Sequence, residues 1–217
     1  IWGPSYATGA SLFGSADRLE YALEVKNASL SSRPSVWNGR SMSWDAPTGT
    51  GRIGFHPDAA WNIGTSLSYG SYLTPAAAQS PGFPIDKNYR DYTQLVIGQD
   101  VSYAWRHWQF WAEAFASKFE IPNAPNVETL SYYIETKYKF TSSLFGALRW
   151  NQQFFDKIPN SVGTDTRWDK DAWRIDAALG YRFTRHIQTK LQYSFNHEQG
   201  LFQQGEQLLA AQLTVKF

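Results

Sequence analysis

Cysteine is absent from this 217-residue chain, which suits a protein that crosses an oxidising compartment without relying on disulfides. Long apolar runs are absent too. Nothing approaches the ~18 consecutive apolar residues that a membrane helix needs, and the mean hydropathy is −0.45. A hydropathy plot would read such a chain as soluble, yet strands that cross a membrane give the same reading, because only alternate residues face lipid. Charge of one sign is also missing. The net charge is +1, so there is no bulk electrostatic case for nucleic acid as a partner. The sequence begins with Ile1 and shows no signal peptide, which reads as a mature chain or a fragment.

Catalytic patterns are sparse. No Gly-x-Ser-x-Gly elbow occurs. Gly49–Gly54 spells G-x-G-x-x-G but leads into a strand, where the motif has no helix N-terminus with which to hold phosphate. His56, His107 and His186 fall in or beside short turns and His197 stands alone, so they read as turn or interface residues. Asp165, Asp169 and Asp171 cluster near Trp168, but without a known Ca²⁺-loop spacing they read as a solvated acidic tip. The expectation is a protein that is not an enzyme and holds no metal or cofactor.

What is abundant is aromatic: ten Trp, twelve Tyr and fourteen Phe, 17% of the chain. They lie on segments that alternate apolar and polar residues with the period of a strand. Leu19, Tyr21, Leu23 and Val25 alternate with Glu20, Ala22, Glu24 and Lys26; Trp61, Ile63, Leu67 and Tyr69 alternate with Asn62, Gly64, Ser68 and Gly70. The last eleven residues place Leu209, Ala211, Leu213, Val215 and Phe217 on one parity. About eleven strands are expected, near residues 6–13, 19–27, 51–56, 61–72, 94–105, 108–119, 129–140, 144–154, 173–183, 187–196 and 207–217. Several run to ten residues or more, where soluble strands average about five or six. Their connections alternate between short turns (Gly14–Asp17, His56–Ala59, Arg106–His107, Thr141–Ser143, Thr184–His186) and long loops that hold most of the proline.

A closing strand of alternating apolar residues ending on Phe217 resembles the last strand of bacterial outer-membrane β-barrels, and short turns at one end with long loops at the other is their layout. The expected fold is all-β: a transmembrane antiparallel up-and-down β-barrel forming a single domain over residues 1–217. An odd strand count with the last strand ending on the short-turn side implies strands preceding Ile1, and 12–18 strands in the complete barrel. A soluble sandwich with one polar face is the alternative. Residues 17–27 (DRLEYALEVKN) and 51–72 (GRIGFHPDAAWNIGTSLSYGSY) resemble porins of the phosphate-selective porin O/P type. That resemblance implies a homotrimeric channel with basic residues in its lumen, though no arginine ladder maps onto this sequence and phosphate specificity does not carry over.

On this reading the apolar parity faces lipid. Phe55, Trp61, Tyr103, Trp105, Trp108, Phe140, Tyr181, Phe183 and Phe217, with Phe13, form an aromatic girdle beside the short turns, at headgroup level. The other parity lines the interior. Its expected pore-lining residues are Lys26, Arg52, Asp100, Glu113, Glu135, Lys137, Lys139, Arg149, Arg174, Asp176, Arg182 and Lys190, with Glu20, Glu24 and Lys216 beside them. Nine bases face six acids, which permits a mild anion preference or a neutralised network of cross-strand pairs. Trp111, Phe115 and Phe119 share the inward parity and suit packing or a patch for sugar rings. The expected surroundings are outer-membrane lipid and lipopolysaccharide, and the expected role is passive diffusion of small hydrophilic solutes. A plugged barrel sheathing a partner protein and, more remotely, an outer-membrane enzyme are the rival readings.

Overall fold

Alternation makes a strand wherever it persists, and here it persists long enough to build one large sheet. The computed structural model describes residues 9–27, 44, 47–73, 77–159, 163–199 and 204–216. Thirteen strands are present among them: β1 Gly9–Ala16, β2 Leu19–Lys26, β3 Thr48–Phe55, β4 Trp61–Ser71, β5 Thr93–Trp105, β6 Trp108–Phe119, β7 Val127–Lys139, β8 Leu144–Phe155, β9 Lys157–Pro159, β10 Asp165–Arg167, β11 Ala172–Arg182, β12 Ile187–Glu198 and β13 Gln204–Val215. Eleven of them pair antiparallel with their chain neighbours in the order β1-β2-β3-β4-β5-β6-β7-β8-β11-β12-β13. This is the expected up-and-down meander. β1 and β13 stand at its two edges and do not pair with each other.

A soluble sandwich would bury one face of the sheet against a second layer. Here the described residues include only two buried hydrophobics, Val127 and Phe145, while Ile53, Leu67, Leu179, Leu209 and Leu213 stand about half exposed or more. An apolar face left bare over a whole sheet is what a hydrocarbon solvent requires and water penalises.

The first turn differs from expectation. It is not Gly14–Asp17. β1 runs on to Ala16, which pairs with Leu19, so Asp17 and Arg18 alone make the turn. Asp17 takes a φ of 52°, a left-handed conformation that aspartate tolerates better than most residues. β3 begins at Thr48 and β13 at Gln204, both earlier than their patterns suggested, because pairing with β2 and β12 holds the extra residues extended.

The strands are staggered. The row of directly paired residues through Glu20 passes Gly54, Gly64, Asp100, Glu113, Tyr133, Asn151, Arg174 and Asn196. Counted from the short-turn end, Glu20 is second in β2 and Asn196 tenth in β12. That is about one residue per strand step. With ~3.3 Å per residue and ~4.8 Å between strands it gives a tilt of roughly 35°, in the range for a barrel wall.

The long-loop end carries structure of its own. β9 and β10 form a small hairpin within the loop between β8 and β11. Trp168 anchors it, donating to the Glu128 carbonyl at 2.9 Å and meeting the Phe155 ring edge-on at 4.8 Å. Asp171 is buried; it accepts from the Phe155 amide at 3.0 Å and pairs with Arg167. It is therefore a structural staple and not part of a solvated acidic tip. The loop before β5 is capped at Asn88 and tied through Tyr72, whose hydroxyl donates to the Glu120 carbonyl at 2.7 Å.

Candidate pore wall

Residues directly opposite in an antiparallel sheet point to the same face. The register therefore sorts every candidate side chain without further assumption. Lys26, Arg52, Asp100, Glu113, Glu135, Lys137, Lys139, Arg149, Arg174, Asp176, Arg182 and Lys190 all fall on one face. Phe55, Trp61, Tyr103, Trp105 and Trp108 fall on the other, as does Tyr181. Phe140 and Phe183, one residue beyond their strands, meet Tyr138 and Tyr181 edge-on at 5.1 and 5.0 Å. Trp61–Tyr103 (4.3 Å), Trp108–Phe110 (5.7 Å) and Trp108–Tyr138 (4.6 Å) join this set into a band beside the short turns. One assignment changes. Phe13 pairs with Ala22, on the face of Arg52, so it is not part of the band. Phe217 lies outside the described residues.

Much of the charge on the polar face is neutralised across strands. Arg52 bridges β2 and β5: it pairs with Glu20 on one side and reaches Asp100 at 2.9 Å on the other. His56 adds a contact to Glu20 at 3.2 Å. A second network centres on Asp176, which is buried and accepts from Arg174 (3.1 Å), Asn151 (3.0 Å), Gln192 (3.4 Å) and Ser194. Arg149 lies 3.8 Å from the centre of the Tyr133 ring, 3.7 Å from Glu135 and 3.0 Å from Asn151. Lys26 is held by Glu24 at 3.0 Å. A recess of about 430 Å³ opens on this face between Glu113, Phe115, Tyr133, Arg149, Arg174 and Asn196.

Glycine decides where the bulky inward side chains go. A Cβ on Gly64 would collide with the Arg52 guanidinium and Asp100, and one on Gly54 would collide with Glu20. A Cβ on Gly98 would stand 2.8 Å from the Phe115 ring, and one on Gly180 would run into Phe145. Each large side chain thus lies flat over a glycine of the adjacent strand, along the wall instead of out from it. Phe119 meets Tyr72 edge-on at 5.3 Å. Phe115 and Phe119 therefore pack on the wall and its rim.

Sequence reasoning placed the charged residues but missed Tyr133, Asn151, Ser194 and Phe145 as their partners. The parity of these four was readable. Which strand position each would face was not, because that depends on register.

No protein-family model and no curated protein sequence matches the chain. The likeness to phosphate-selective porin O/P therefore remains a resemblance. Solved structures do match. OmpF of Salmonella typhi, in complex with daunomycin, aligns with a TM-score of 0.64 at 13% identity over 95% of this chain and 61% of that one. OmpT, an outer membrane protein of Vibrio cholerae, aligns with a TM-score of 0.58 at 9% identity over 93% of this chain and 60% of that one. The chain spans about three fifths of the length of these structures. At such identities the likeness speaks to fold alone, and the fold is that of an outer-membrane β-barrel, here an eleven-stranded antiparallel sheet.

Proposed function

We propose that this chain forms the wall of a water-filled outer-membrane pore through which small hydrophilic solutes diffuse passively. The observation that carries the reading is the flat-lying interior. Polar residues cover one face of the sheet, and Arg52, Phe115 and Phe145 on that face are folded down over glycines. A wall built this way keeps its width for water, and the paired charges give it a polar lining. The opposite face, apolar and edged by an aromatic band, suits lipid, with lipopolysaccharide at the outer rim. The OmpF and OmpT folds support an outer-membrane location. The account is of a channel without catalysis or cofactor. Its test is single-channel recording of the purified full protein in a planar bilayer. Discrete steps that scale with salt concentration are expected; a folded, inserted protein that stays silent would contradict it and favour a barrel occupied by a partner.

A further inference from the structure

The neutralised network does not extend over the whole polar face. On β7, β8, β11 and β12 the inward positions nearest the short turns carry Lys139, Lys137, Arg182 and Lys190 and no carboxylate. Lys139, Phe145, Gly180 and Lys190 occupy one register row; Lys137, Ala147, Ala178 and Gln192 occupy the next; Arg182 lies on the turn side of Gly180. Among the described residues none of these four cations has an ion-pair partner. The nearest acids on this face, Glu135 and Asp176, are turned to Arg149 and Arg174. The centre of the group is low. Gly180 and two alanines make its floor with Phe145, whose ring lies flat over Gly180 and holds the Lys137 ammonium at 4.2 Å.

We propose that this shallow tray is a binding site for extended multivalent anions, small molecules carrying several carboxylate or phosphate charges along their length. Spacing is the reason for the word extended. Lys139 and Lys190 stand three strand steps apart, roughly 14 Å at the backbone, with Arg182 between them. A compact ion reaches one or two of the cations, whereas an extended one reaches both rims. Like charges held together without a counter-charge repel, and an anion bridging them removes that penalty. The balanced networks elsewhere offer no such site. On the pore reading, on which the inference rests for its role, the tray draws such anions to the short-turn mouth.

The test measures calorimetric binding of inorganic tripolyphosphate, the extended polycarboxylate N-acetyl-triglutamate and orthophosphate to the full protein in detergent, with bilayer recordings made in parallel. Tripolyphosphate and N-acetyl-triglutamate are expected to bind at least tenfold more tightly than orthophosphate. Lys139→Gln with Lys190→Gln is expected to weaken both at least tenfold, while Lys118→Gln, on the opposite face, changes neither. Tight binding of tripolyphosphate without N-acetyl-triglutamate would identify the solutes as phosphorylated, and the reverse would identify them as carboxylates. Equal affinity for orthophosphate, or binding indifferent to the double substitution, would overturn the proposal even if the pore conducts. A silent bilayer with binding intact and sensitive to the substitutions would leave the tray standing and remove the diffusion reading instead.

Discussion

At the scale of single residues, the account turns on glycine and on buried charge. Gly180 has room for nothing but hydrogen, since the Phe145 ring occupies the space a side chain would need. Gly180→Val is expected to lift that ring off the wall, costing about 1–3 kcal/mol as overpacking does, and to lower conductance without shifting the strand content seen by circular dichroism. Asp176 and Glu24 provide a contrast between two carboxylates on the same face. Asp176 is buried among four donors. Its replacement by Ala removes the acceptor shared by Asn151, Ser194 and the half-exposed Arg174 and is expected to cost about 2 kcal/mol. Glu24 is 43% exposed in its pair with Lys26, and Glu24→Ala is expected to cost under about 1 kcal/mol. Urea unfolding from lipid vesicles measures both; equal costs would contradict the network.

At the scale of elements, the rim is the part that the sequence concealed. The long strands were legible because period-two alternation sustained over ten residues has few other meanings, as in β4 and β11. β9 and β10 were not, at three residues each: they exist because Trp168 and Asp171 pin the loop to Phe155 and Glu128. The turn at Asp17 was misplaced because Gly14 and Ser15 look like turn residues, while pairing with Tyr21 and Glu20 holds them in β1. Of the candidate wall, the side each residue faces was legible and its partner was not. Asp171→Ala is expected to release the hairpin, so that limited proteolysis cuts within residues 157–171 while the sheet survives; unchanged resistance would contradict the staple. Tyr72 gives the rim a pH limit. Burial, with the nearby Glu120 carboxylate adding to it, pushes the phenol above its ordinary value of 10. A raised value favours the protonated form in the folded state, so the tie from Tyr72 to Glu120 contributes fully below pH 10. It is lost as pH climbs through the folded value. Hydrogen exchange of the loop before β5 is expected to rise only in that alkaline range in the wild type, and to be elevated already at pH 7 in Tyr72→Phe.

At the scale of the whole molecule, the sheet has two faces with two solvents. One is apolar, bare and edged with aromatics; the other is polar, cross-linked and smoothed by glycine. Neither covers a core, and among the described residues nothing packs across the polar face as a second layer. Everything proposed about function depends on the polar face meeting water while the apolar face meets lipid. The absence of cysteine from the chain provides a clean background for testing this. Single cysteines placed in turn at positions 62, 63, 65, 66 and 67 of β4, in protein reconstituted into vesicles, would be exposed to a charged thiol reagent that cannot enter hydrocarbon. The account predicts reaction at positions 62 and 66 and protection at 63, 65 and 67. Reaction at both parities, or protection at both, would contradict it.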